Sequence, residues 1–235
     1  MTGLILAGGR GTRLRPHTEE IPKPLLEVNG KAILGYQIEM LAKEQVSPIV
    51  IVTGFLAHKI EEYVQTHYSD QKIIFVNNPA FEDSRPAFGV IAALPQLHSD
   101  VLYLNGDVHC DLKVLADVIH SPHESVTAIQ KITWEEEQVN VVTDEDMRIH
   151  HIGKHITEHD SDGEFIGVTK LSNDFIDTIK KTVATEGAET FRYSFAVDLI
   201  NHVVNVHKKE LHAVDVTASH AIEIDTAEDL ARAQN

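Results

Sequence analysis

The 235-residue chain is 43% hydrophobic, carries one cysteine (Cys110), and sets 20 basic against 36 acidic side chains for a formal net charge of −16. This excludes a disordered chain and an internal disulfide, and it argues against non-specific nucleic-acid binding, which needs a basic face. No apolar run approaches the ~20 residues that a spanning helix requires, no secretory leader is visible in residues 1–7, and a lone thiol suits a reducing compartment, so a cytoplasmic protein without membrane or nucleic-acid partners is expected.

Residues 4–7 form a short apolar run closed by glycine, as a buried parallel strand does. Residues 32–44 place Ile33, Tyr36, Gln37, Met40 and Leu41 at helical spacing. The pattern then predicts a strand over 48–53, a helix over 57–68, a strand over 72–76, a helix over 86–97 and a strand over 101–105. Strands alternating with helices imply a mostly parallel twisted sheet flanked by helices on both faces. The ligand crevice of such a sheet lies beyond the carboxyl ends of its strands. Residues 8–15 and 105–107 both fall there.

The second half is β-rich, with strands predicted over 125–132, 138–143, 148–152 and 164–170. Helices over 173–184 and 192–206 follow, then a closing strand pair (211–216 and 221–224) and a terminal helix over 226–233. No repeat, linker or low-complexity tract interrupts the chain, so one continuous domain over 1–235 is expected.

An anionic ligand would have to be held by a local basic cluster against this overall charge. Arg10, Arg13, Arg15, Lys23 and Lys31 all lie within the first 31 residues. The opening Leu6-Ala7-Gly8-Gly9-Arg10-Gly11-Thr12-Arg13-Leu14 sets three glycines directly after a strand, where backbone N–H groups can turn onto a phosphate or a base; a plain tight turn is the alternative for Gly8 and Gly9. A Walker loop is excluded, because no Lys-Ser/Thr follows the last glycine. A dinucleotide fingerprint is excluded too, because Leu14 stands where a third glycine or alanine is needed.

The run GGRGTRLRP, continued by PKPLLEVNGKAIL, resembles the signature of the sugar and phospho-alcohol nucleotidylyltransferases. The resemblance implies a Rossmann-like, GT-A-type nucleotidyltransferase fold with a small β-rich substrate-binding part in the second half. Residues 1–110 would then bind the nucleotide and residues 111–235 the acceptor. Leu6, Ala7, Gly8, Gly9, Gly11 and Thr12 would wrap the nucleotide, and Arg13 and Lys23 would contact its phosphates as the catalytic cations. Fixed cations in a water-poor site stabilise charge developing on a transferring phosphorus.

Gly106-Asp107 after a strand is by itself a turn signal. Beside the opening signature, Asp107 resembles the family's first metal ligand, with Asn105 and Gly106 at the nucleotide. Asp225, in the run Ile222-Glu223-Ile224-Asp225-Thr226, resembles the second, so that Mg²⁺ ions held by Asp107 and Asp225 are implied. Asp225 or Thr226 also has the position of an N-cap, with Asp229 at capping-box spacing. Asp111 is both a metal candidate and a cap for a helix starting at Leu112. Glu223 is left outside the site.

Residues 82–89 (EDSRPAFG) carry neither the Gly-Thr-Ala stretch of the sugar-1-phosphate enzymes nor the Asn-Asn and Tyr-Ser of the phosphocholine and phosphonate enzymes. Arg85 is therefore open between a nucleotide contact and a surface charge. Residues 148–154 and 163–172 resemble the phosphocholine, phosphonate and inositol-phosphate cytidylyltransferase branch. That implies CTP as the nucleotide, Lys154 as the holder of an acceptor phosphate or phosphonate, and Glu164 and Gly167 as further substrate contacts. Arg192 and Asp198 are candidates for substrate contacts or for a plain helix surface.

The acidic run after Trp134 lacks the several aromatics of a choline site. Among 15 histidines, His151, His155 and His159 have a spacing that serves a metal only on a helix, and Gly153 argues for strand and loop, so no zinc site is expected. The expected reaction joins CTP to a phospho-alcohol, phosphoamino acid or phosphonate and releases pyrophosphate. The alternatives are a sugar-1-phosphate nucleotidylyltransferase using UTP, dTTP or GTP, and a catalytically silent nucleotide-binding regulatory subunit. The oligomeric state stays open, a homodimer included.

Overall fold

A computed structural model describes residues 1–234. In chain order the elements are β1 (Thr2–Leu6), β2 (Glu27–Val28), β3 (Lys31–Ala32), α1 (Ile33–Lys43), β4 (Ile49–Thr53), α2 (Ala57–His67), β5 (Ile73–Asn77), α3 (Pro86–Ala93), β6 (Val101–Asn105) and β7 (Val108–Cys110). The second half continues with α4 (Leu112–Ile119), β8 (Val126–Gln130), β9 (Asn140–Thr143), β10 (Ile149–Gly153), β11 (Gly163–Leu171), α5 (Asn173–Glu186), α6 (Ala196–His207), β12 (His212–Asp215), β13 (Ala221–Glu223) and α7 (Ala227–Ala233).

The central strands β1, β4 and β6 are apolar over most of their length because both faces of their sheet are covered. Leu4, Val50, Val52, Val101 and Tyr103 point into one core, while Ile5, Ile49, Ile51, Leu102 and Leu104 point into the other. Alternation along a strand sends neighbours to opposite faces, so each strand feeds two cores. The second core is closed by α1 and α4, which bury Leu34, Ile38 and Leu41 and Val114, Leu115 and Val118 respectively. The first is closed by α3, α5 and α6.

One nine-stranded sheet runs β10-β9-β11-β6-β1-β4-β5, with β8 beside β11 and β12 beside β8. β6, β1, β4 and β5 are parallel, giving the mostly parallel central sheet expected, and β11 adds antiparallel to β6. The two halves of the chain therefore share one sheet. A separate two-stranded sheet pairs β13 with β7.

Three local expectations need correction. The helix expected over 86–97 ends as α-helix at Ala93 and tightens into a 3₁₀ turn at Leu94–Gln96, where Pro95 lacks the donor that another α-turn needs. The helix expected from residue 192 starts at Ala196, because Phe195 is extended and donates its N–H to the Asp198 carboxylate at 2.7 Å. Arg192 is thus in the preceding turn. The two closing strands do not pair with each other: β12 lies parallel to β8, and β13 takes β7, a segment to which the sequence pattern assigned no element.

Candidate functional site

The carboxyl ends of β1 and β6 lie side by side, with Leu6 in register with Asn105. Beyond them the chain turns twice, at Gly8-Gly9 and at Gly106-Asp107. A Cβ on Gly106 would sit 2.2 Å from the Leu6 carbonyl oxygen, so only glycine lets the two strand tips approach this closely. The side chain of Gln37, fully buried on α1, donates to the carbonyls of Asn105 and Val108 at 2.8 and 2.9 Å and fixes both sides of the turn. The Ile224 N–H donates to the Asp107 carbonyl at 3.0 Å, and β13 pairs with β7. Together these bring Asp225 to Asp107.

Gly11 has φ 59° and leads into a 3₁₀ turn, Thr12–Leu14, whose Leu14 is buried. The Thr18 hydroxyl donates to the Gly11 carbonyl at 2.6 Å and anchors the turn. Arg13 leaves it to meet Asp225 at 2.7 Å. Lys23 starts a second 3₁₀ turn after Pro22, and its side chain runs inward with only 10% exposed. Its Nζ donates to Asp107 Oδ2 and to Asp225 Oδ1, each at 2.6 Å. Two cations thus meet two carboxylates at the sheet's carboxyl edge. Burial alone would lower the lysine's affinity for its proton, but Asp107 and Asp225 more than offset this and raise it. Asp225 is held below the usual range against its own burial, by Lys23 and then Arg13.

Glu223 completes the cluster. Asn105 Nδ2 donates to its Oε1 at 2.6 Å, and the Asn105 oxygen accepts from the Tyr103 hydroxyl. Strand alternation places Glu223 on the face of Asp225, two residues on, and that was the available signal for it. Burial, reinforced by Asp107, pushes its carboxyl up to about 8. The folded state then binds a proton that the unfolded chain releases above ~4.3, so stability declines with rising pH across that window and levels off above about 8. Glu223→Gln is expected to remove this decline, as read from urea midpoints at about pH 5.5 and about pH 8.5. A slope that survives the substitution belongs to another group.

Two cavities adjoin the cluster. The first, about 220 Å³, is lined by Leu6, Gly8, Gly9, Arg85, Asn105, Gly106 and Asp107, together with Asn78, Phe81, Ser84 and Gly89. The second, about 300 Å³, is walled by Tyr103, Phe165, Phe195 and Val197, with Lys154, His155 and Asp198 as its charged or titratable groups. Asn105 and Pro86 line both.

Most of the residues named from the sequence converge here. Arg13, Lys23, Asp107 and Asp225 form the ionic cluster; Leu6, Gly8, Gly9, Arg85, Asn105 and Gly106 line the first cavity; Lys154 lines the second, 3.3 Å from Glu137. Gly167 lies at the cluster with φ 66°, and a Cβ on it would stand 2.7 Å from Asn105 Nδ2 and 2.8 Å from Glu223 Oε1. Ala7 is buried behind the loop, and Thr12 is exposed at the start of its turn. Glu164 neighbours Phe165 on β11 but is not among the residues lining either cavity; burial and then Glu135 push its carboxyl up to about 7.

Other candidates are engaged elsewhere. Asp111 does not cap α4 with its side chain but accepts the His220 N–H at 2.9 Å. Thr226, with Asp229, forms the capping box of α7 and leaves Asp225 to the cations. Arg10 pairs with Glu82 at 3.3 Å and Lys31 with Glu39 at 2.8 Å, away from the cluster. Asn78, Phe81, Tyr103, Phe195 and Gln37 escaped the sequence reading because each becomes a site residue only through the tertiary fold.

Asp107 Oδ1 is buried and has no hydrogen-bond partner among the described residues. An orphaned carboxylate oxygen next to a second carboxylate fits a divalent cation that takes its remaining ligands from phosphate and water, as Mg²⁺ does. Among the described residues no group of three or more His, Cys, Asp or Glu is arranged to hold a metal, so phosphate oxygens would have to complete such a site. No described helix is long and apolar enough to cross a membrane.

Comparison with known proteins fits this geometry. The bifunctional protein GlmU of Methanococcus maripaludis (strain C5) is 28% identical over 222 residues, 92% of this chain and 49% of that protein. Choline-phosphate cytidylyltransferase of Streptococcus pneumoniae is 44% identical over 68 residues, 29% of each chain. The chain thus spans half or less of the length of these curated relatives. Among solved structures, the inositol-1-phosphate CTP transferase from T. maritima superposes with a TM-score of 0.82 at 20% identity, over 97% of this chain and 90% of that one, a likeness of fold. The pattern of the family described as Nucleotidyl transferase matches residues 2–152, which contain the glycine turn, Arg13, Lys23 and Asp107, and the chain belongs to that family.

Proposed function

We propose that the chain is a nucleotidylyltransferase that joins CTP to a small phosphorylated or phosphonate acceptor and releases pyrophosphate. The observation that carries this reading is the bridging of Asp107 and Asp225 by Lys23 beside two cavities that share Asn105. The first cavity, under Gly8-Gly9, suits the nucleotide, and the second, with Lys154, suits the acceptor. An acceptor oxygen attacks the α-phosphorus, the bond from that phosphorus to the bridging oxygen breaks, and the β- and γ-phosphates leave as pyrophosphate. Arg13 and Lys23 stabilise the charge that builds on the way. No general base is required, since a phosphate monoester with a second pKa near ~6 is already an anionic nucleophile at neutral pH. Mg²⁺, if held by Asp107 and Asp225, would neutralise phosphate charge.

CTP is favoured by the likeness of residues 148–154 and 163–172 to the cytidylyltransferase branch and by the relatives named choline-phosphate cytidylyltransferase and CMP-5'-(3-aminopropyl)phosphonate synthase. Relatives named for sugar phosphates also match, among them mannose-1-phosphate guanyltransferase of Saccharomyces cerevisiae. The deciding experiment crosses CTP, UTP, GTP, ATP and dTTP with choline, ethanolamine, polyol and amino-acid phosphates, 2-aminoethylphosphonate and sugar 1-phosphates, reading pyrophosphate release with Mg²⁺. Turnover confined to CTP and a non-sugar acceptor is the expected result. Turnover with a sugar 1-phosphate moves the chain to the rival substrate class, and silence throughout leaves a nucleotide-binding protein. With the substrate in hand, Lys154→Met is expected to raise the acceptor KM about tenfold with little change in kcat, because it removes one charge-assisted contact to an anion.

A further inference from the structure

Arg192, open from the sequence between a substrate contact and a plain helix surface, keeps only 22% of its side chain exposed while its partners Asp83 and Glu189 are each 70% exposed. Its Nε and Nη2 grip both oxygens of Glu189 at 2.6 and 3.1 Å, its Nη1 donates to Asp83 Oδ1 at 2.9 Å, and the guanidinium lies 4.8 Å over the Phe88 ring. Planar forks of this kind fix geometry more firmly than a lysine can.

The backbone around Arg192 does equally specific work. α3 starts with Pro86 and has no side-chain cap, so the first amides of the helix need other partners. They find them in the segment 192–194: Arg85 donates its N–H to the Arg192 carbonyl at 2.8 Å, and Ala87 donates to the Ser194 carbonyl at 3.1 Å. The next residue, Phe195, lines the second cavity and carries the Arg85 guanidinium 4.5 Å above its ring. Arg85 in turn lines the first cavity. The loop before α6 thus caps the helix that borders both cavities, and Arg192 pins it there through Asp83 and Phe88.

We infer that Arg192 is a positioning residue that locks the Phe195 wall of the acceptor cavity to the start of α3, so that a nucleotide seated against Arg85 sets the shape of the acceptor cavity. This rests on the assignment of the two cavities made above. Coupling of this sort is reciprocal, each ligand changing the affinity for the other by the same factor. Its carrier is one clamped segment rather than a diffuse path.

A tryptophan reporter tests the inference without knowledge of the acceptor. Phe195→Trp is placed in a Trp134→Phe background, which removes the chain's single native tryptophan. CTP with Mg²⁺ is titrated, and binding is followed in parallel by calorimetry. The expected result is a fluorescence change at position 195 on CTP binding. In Arg192→Lys that change shrinks about fivefold or more while the calorimetric CTP affinity stays within about threefold. Asp83→Asn, a milder release of the same clamp, gives an intermediate response.

A full fluorescence response in Arg192→Lys overturns the inference. So does a silent Trp at position 195 in a parent that binds CTP. Absence of calorimetric binding by the parent for every nucleoside triphosphate removes the nucleotide reading itself and the coupling with it, an outcome that calorimetry separates from the other two.

Discussion

Lys23→Ala is expected to lower turnover about 10³-fold while leaving nucleotide binding measurable. The lysine hydrogen-bonds both Asp107 and Asp225, and the two carboxylates hold it in its charged form. Removing one preorganised donor from a phosphoryl- or acyl-transfer site costs about 10²–10³ in kcat. Here the loss also leaves two carboxylates facing each other beside Glu223. Breaking a fully buried ion pair costs about 3–5 kcal/mol. Asp107 and Asp225 retain 24% and 31% of their side-chain exposure, so water can re-enter, and a stability loss of about 1–2 kcal/mol is the better figure. The catalytic effect therefore exceeds the structural one. Pyrophosphate release and a calorimetric nucleotide titration on the same preparation separate them, and undiminished turnover would remove Lys23 from its assigned role.

Gly106→Ala is expected to destabilise the protein by about 3–5 kcal/mol and to abolish turnover. The added Cβ would lie 2.2 Å from the Leu6 oxygen, 3.0 Å from the Leu6 carbonyl carbon and 3.2 Å from the Ala7 Cα. All three are backbone atoms in or just beyond a central parallel strand, so no flexible side chain can yield. Either β1 and β6 separate at their tips or the turn carrying Asp107 swings out, and both outcomes spoil the contact with Lys23. Gly9 provides the control. No described residue comes within 4 Å of a Cβ built there, and Gly9→Ala should leave stability within about 0.5 kcal/mol. Urea unfolding of the two variants checks the contrast.

The central fold was legible because its signals are local. Apolar runs closed by glycine mark β1, β4 and β6, and the helical spacing of Ile33, Gln37 and Leu41 marks α1. The ionic cluster was legible through resemblance, since the opening run and the Gly-Asp turn carry Arg13, Lys23 and Asp107 within contiguous motifs. What stayed hidden depends on which strands pair. β7 is three residues long, and its partner β13 lies more than a hundred residues further on, so no window of sequence announces the sheet that delivers Asp225. Gln37 reads as one more helical residue until its side chain is seen capping two carbonyls across the turn. The late start of α6 was missed because the Asp198 carboxylate ends the extended chain at Phe195, a choice made by one hydrogen bond.

The long reach of the β13–β7 pairing has a consequence for the order in which the protein is made. Asp107 leaves the ribosome 118 residues ahead of Asp225. At ordinary elongation rates that is an interval of roughly 6 to 24 s. Throughout it, Lys23 has one carboxylate where the finished protein gives it two, while β1, β4, β5 and β6 can already lie side by side. A nascent chain can therefore own its scaffold well before its ionic cluster is complete, and under the proposed function competence to turn over awaits the docking of segment 221–225.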